Sequence, residues 1–139
     1  MHRWILLTVA ILLPLALTAE SCTLYLPPVY TNPGGEWIGI AYLPSKEPMK
    51  LALDVFSNGT LNGSAEFLNT GFSHTILDGH WLENRIGFQL HPWINSYEIT
   101  GTLNPEFTAF ETCVVYRWNT STESWEQIGG CRFNRPLAP

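Results

Sequence analysis

Cationic charge is scarce in this chain: Lys and Arg number 7 against 12 Asp and Glu, for a net charge of −5. A protein that grips a nucleic-acid backbone needs clustered Lys and Arg, so no nucleic acid is expected as a partner. Charged residues of either sign make up only 14%. Helical periodicity is nearly missing beyond the first twenty residues, and no second apolar run is long enough to span a bilayer. No Gly-rich phosphate loop follows a strand pattern, no His-Glu-x-x-His occurs, and no Ser/His/Asp arrangement suggests itself. Neither an enzyme nor a cofactor is therefore expected. Glu106 and Glu111 read as solvated acids. His74, Asp78 and His80 fall on one face of an unbroken strand, but about 20 Å separates the first from the last. They read as outward polar side chains, and no metal site is expected.

What the chain does have begins with residues 1–21. His2-Arg3 supplies a basic start, Trp4 to Leu17 an apolar run shorter than a span, and the residues up to Ser21 suit cleavage, a pattern that reads as an export signal. Residues 22–35 (CTLYLPPVYTNPGG) carry no charge. Their prolines and glycines predict an extended tether or plug.

From 36 to 135, short runs with period-2 alternation recur between Gly, Asn, Pro and Ser clusters, the pattern of an antiparallel meander. Eight strands are predicted: 36–43, 49–56, 60–67, 73–82, 85–90, 97–103, 107–118 and about 124–133. Pro44 and Pro48 are expected to lie outside the ladders, and Ser57-Asn58-Gly59 to make a hairpin turn. Short connections make sequence neighbours pair in space. A closed up-and-down barrel removes exposed edges, so the expected fold is all-β, an eight-stranded antiparallel meander barrel, with a sandwich as the alternative.

Three cysteines make an odd count for an exported chain. In a hairpin centred on Thr122, partner numbers sum to 244, which places Cys113 opposite Cys131. Opposed strand residues lie within disulfide reach, and the bond is expected to stabilise the fold by roughly 3 kcal/mol. The same register sets Tyr116 opposite Ile128 and Arg117 opposite Gln127. Cys22 is left over. It is either lipidated, free, or paired with another chain. Its place resembles the lipobox of bacterial lipoproteins, where a small residue, here Ser21, precedes the lipid-bearing cysteine. Glu20 departs from that pattern. The resemblance implies an extracytoplasmic protein, secreted or held to a membrane surface through a lipid on Cys22.

Aromatics reach 13% of the chain, with six tryptophans. Trp37, Trp81, Trp93, Trp118 and Trp125 lie beyond the signal. They either fill the core and plug the barrel ends or line a cavity. An eight-stranded barrel is wide enough for one small ligand, and Trp37, Trp81, Trp93 and Trp118 are the candidate ligand-binding residues. Trp93, in the loop His91-Pro92-Trp93-Ile94-Asn95, is the best placed for a mouth.

Gly35-Glu36-Trp37 opens the first strand, and Arg132 and Arg135 end the last. This resembles the signature of the calycin superfamily, the lipocalins, fatty-acid-binding proteins and avidins. In that family a Gly-x-Trp on strand one packs beneath an Arg of the closing strand. The resemblance implies structural roles for Gly35, Trp37 and Arg132, with the guanidinium over the indole. It also implies a non-catalytic barrel holding a small hydrophobic or aromatic ligand. The alternative is a surface protein that binds another protein through its loops, for example an inhibitor of a secreted enzyme.

Overall fold

The computed structural model describes residues 26–137. The export signal over 1–21, Cys22 and the first part of the tether lie outside the described residues. Among those described there is no helix, and nine strand segments follow one another: β1 Gly35–Tyr42, β2 Lys46–Val55, β3 Thr60–Phe67, β4 Ser73–Thr75, β5 Leu77–Leu82, β6 Arg85–Leu90, β7 Tyr97–Leu103, β8 Phe110–Asn119 and β9 Ser124–Asn134. β4 and β5 both pair with β3 and make one stave. Each stave pairs antiparallel with its sequence neighbours, and β1–β9 closes the ring. The fold is a closed eight-stranded up-and-down barrel.

Alternation decides what faces in. Trp37 and Ala41 on β1, Met49, Leu51 and Leu53 on β2, Leu61 and Ala65 on β3, Phe88 and Leu90 on β6, and Ile99 on β7 are buried, and so are Val115 and Phe133. At about 1.5–3 kcal/mol for each large apolar side chain, this burial is the main favourable contribution to the fold. The hairpin at 57–59 forms as expected. Gly59 takes φ +87°, and the Asn58 side chain accepts a bond from the Thr60 amide at 3.0 Å. At Gly63 (φ +144°) a Cβ would overlap the Ala52 carbonyl, so only glycine lets β2 and β3 approach there.

Besides a later start for β8, at Phe110 and not at Phe107, which takes φ +55° in the preceding loop, three local expectations change. Pro48 joins β2 opposite Ile40. Its carbonyl accepts from the Leu68 amide at 2.9 Å just past the end of β3, where the donor that proline lacks has no ladder partner to serve. The strand expected over 73–82 is broken around Ile76, with Asp78 at φ +48° and a register shift between Leu77 and His80. His74 lies opposite inward Ala65, whereas His80 is one step from Gly79, the partner of inward Leu61. The break therefore puts His74 and His80 on opposite faces.

The third change concerns the last hairpin. Cys113 and Cys131 are bonded, with Cα atoms 4.9 Å apart, and the neighbouring pairs Val114–Gly130 and Val115–Gly129 keep the predicted sum. Beyond them the partners become Tyr116–Gln127 and Arg117–Glu126. The tip explains the shift. The Asn119 side chain accepts from the Ser121 and Thr122 amides, and Glu123 takes φ +50°. That four-residue turn demands a register one residue out of step with the disulfide, and a bulge at Ile128 absorbs the mismatch. The bond itself is consistent with an oxidising compartment.

Candidate functional site

The staves run between two ends of different construction. One end gathers the hairpins at 56–59 and 83–84, the 104–109 loop and the segments 26–34 and 135–137. Trp37 is fully buried there, its indole N–H donating to the Pro33 carbonyl at 2.9 Å, and it meets Phe110 edge-on at 5.0 Å. The Arg135 guanidinium lies 4.2 Å from the Trp37 ring centroid and 4.1 Å from that of Tyr30. Its Nε donates to the Phe107 carbonyl and Nη2 to that of Asn32, both at 2.9 Å, and Nη1 donates to that of Gly34. Burial holds this guanidinium below its ordinary pKa, opposed in part by the Tyr30 phenol. Asn104 braces the adjoining loop by accepting from the Thr108 and Ala109 amides.

The guanidinium that covers Trp37 is that of Arg135, not Arg132. Phe133 faces inward, so its neighbour Arg132 points out, opposite Ile40 and exposed. Arg135, two residues beyond Phe133, regains the inward side just after the ladder ends. Gly35 takes φ +105°, and a Cβ there would press on the Arg135 guanidinium at 2.8 Å, so glycine makes room for the lid.

The opposite end collects the loops at 43–45, 68–72, 91–96 and 120–123. Trp93 takes φ +56° and stands 68% exposed, next in sequence Ile94 is 96% exposed, and at the same end Phe72 is 60% exposed, with Leu68 also exposed. Trp93 is tied to the barrel by ring contacts with Phe67 at 6.1 Å and His74 at 5.9 Å. His74 also stacks on Phe67 at 4.9 Å, and its Nε2 is buried without a hydrogen-bond partner among the described residues. On the same end, the Trp118 amide donates to the Ser96 carbonyl, and Trp118 packs on Trp125 at 5.4 Å. Below this rim Tyr97 is buried, and burial raises its phenol pKa, opposed in part by the positive charge of Arg117.

The four candidate tryptophans are therefore not brought together. Trp37 belongs to the sealed end. Trp81 lies beside the 56–59 hairpin, with its N–H on the Phe56 carbonyl at 3.0 Å. Trp93 and Trp118 share the rim. Among the described residues, two grooves that open to solvent lie outside the barrel. One, of about 750 Å³, runs over β1 and β9, and the other, of about 440 Å³, over β5 to β8. Sequence reasoning missed Phe72, Leu68 and Ile94 as rim residues. A turn with Phe72 after Gly71, and Ile94 beside Trp93, were the available signals, since large apolar residues in polar loops call for a reason.

Comparison with protein-family models, with curated proteins and with solved structures returns no match.

Proposed function

We propose that this is an exported, non-catalytic binding protein that recognises another protein through the apolar rim formed by Leu68, Phe72, Trp93 and Ile94. One observation carries the reading: the large apolar side chains of the inner face are packed against one another, while those of the 68–72 and 91–96 loops stand in water. Aromatic residues exposed on a rigid scaffold are the usual anchors of a protein contact. The calycin-like reading adds the direction. The Trp37–Arg135 lid closes the end where residues 26–34 join the barrel, and the rim lies at the other. With a lipid on Cys22 the barrel would be tethered by its sealed end and present the rim outward. A small hydrophobic ligand inside the barrel is a weaker reading, because the inner side chains would have to move apart to admit it.

The test compares the mature protein with Trp93→Ala/Ile94→Asp as baits for proteins of its own secreted milieu. A partner held by the first and lost with the second supports the rim. A partner held equally by both overturns it. Uptake of a neutral naphthylamine probe, unchanged by the rim substitutions, would point instead to the interior.

A further inference from the structure

The outer face of β1 and β9 carries a second binding feature. Ile40 and Tyr42 point outward from β1, with Arg132 opposite Ile40 on β9 and Lys46 opposite Tyr42 on β2. The Tyr42 ring leans over Gly129, where a Cβ would lie 2.7 Å from it. Beside it Gly130 is bare, and a Cβ built there meets only the Cys113 carbonyl, at 3.4 Å. Ile128, half-buried at the bulge, lines the trough beyond. The result is a trough of about 750 Å³ with a glycine floor and apolar walls, within the range of small-ligand sites.

Its charge runs against that of the molecule. Net charge is −5, yet Lys46 and Arg132 line the trough and no Asp or Glu does. Lys50, further along the same face, is satisfied by Glu36 at 3.0 Å, whereas neither Lys46 nor Arg132 has an ion-pair partner among the described residues. An apolar body suits Ile40, Tyr42 and Ile128. An oxyanion suits a guanidinium, which can donate two parallel bonds, with Lys46 as a second point charge. The other groove differs: its Thr102 and Thr112 hydroxyls are bonded to each other at 2.6 Å, and Arg85 is the one Lys or Arg that lines it.

We infer that the trough over Gly130 binds a monomeric amphiphile with an apolar body and one anionic head, a carboxylate or phosphate. The site is separate from the rim and stands or falls independently of it. The probe is decanoate below its micellar concentration, titrated by calorimetry in about 0.15 M salt, where exposed charges more than about 8 Å apart are screened. Decyltrimethylammonium serves as the opposite-charge control. Two variants test different halves of the site. Lys46→Glu/Arg132→Glu removes the head contacts, and Gly130→Leu fills the floor with room for its Cβ. Decanoate should bind at least about tenfold tighter than the cation and lose at least about tenfold in each variant, with the melting temperature of Gly130→Leu close to that of the parent. Trp93→Ala should bind as the parent does. Equal binding of both amphiphiles, affinity within about twofold of the parent in either variant, or binding only to anionic vesicles and not to free decanoate would overturn the assignment.

Discussion

Trp37 at one end of the barrel and Trp93 at the other are handled in opposite ways. At the sealed end Trp37 is fully buried and its N–H is bonded, while Arg135 stacks on it and satisfies three backbone carbonyls from the tether and the 104–109 loop. At the rim Trp93 rests on two rings by one edge and is otherwise in water. A buried polar group must find a partner or cost the fold, and the sealed end meets that condition in full. The rim leaves apolar surface exposed and a buried histidine nitrogen unpartnered among the described residues. The contrast separates the part that stabilises the chain from the surface proposed for recognition. The lid holds the chain together, and the rim has surface to spare for a partner.

Substitutions at the two ends should separate these roles. Trp37→Ala removes the largest buried side chain of the sealed end and should destabilise by about 4 kcal/mol, read by chemical denaturation. A loss below about 1 kcal/mol would mean that the lid is dispensable and the contrast empty. Arg135→Met keeps most of the apolar stem but strands the carbonyls of Asn32, Gly34 and Phe107. A loss of about 2 kcal/mol is expected, whereas Arg132→Met should change stability little. Equal losses at both positions would return the lid to Arg132.

Alkaline pH should act next to the rim. The raised pKa of Tyr97 means that the folded protein holds this proton above 10.0, where the unfolded chain releases it. Stability is then fully present below 10.0 and falls as the pH rises through the window up to the folded value. Melting temperatures between pH 8 and 11 should show the decline, and Tyr97→Phe should flatten it. An equal slope in the variant would place the titrating group elsewhere. The smallest expected effect is that of Trp93→Ala, within about 0.5 kcal/mol of the parent, since most of its surface is already in water. A large loss would make the rim a structural element rather than a binding one.

Much of this was legible along the chain. The staves were, because period-2 alternation and turn residues such as Asn58-Gly59 act over a few residues. So was the Cys113–Cys131 pair, since hairpin register is simple counting. The lid was legible as a motif but not as a residue. Choosing Arg135 over Arg132 needs the parity of Phe133 and the point where the ladder stops, and both depend on closure with β1. The break near Ile76 and the bulge at Ile128 were hidden for a related reason. Each reconciles two constraints imposed from different places, as with the turn at Asn119 and the disulfide below it.

Alternating side chains and their turns, read from residue order alone, determined that the protein is a meander of antiparallel strands with Cys113 facing Cys131, because those preferences are local. Only the tertiary structure decided which arginine covers Trp37, that the tryptophans part company between the two ends, and that a glycine-floored trough opens on the outside. Those outcomes depend on how a closed surface of fixed circumference curves and fills, and curvature and filling are properties of the whole ring rather than of any stretch of it.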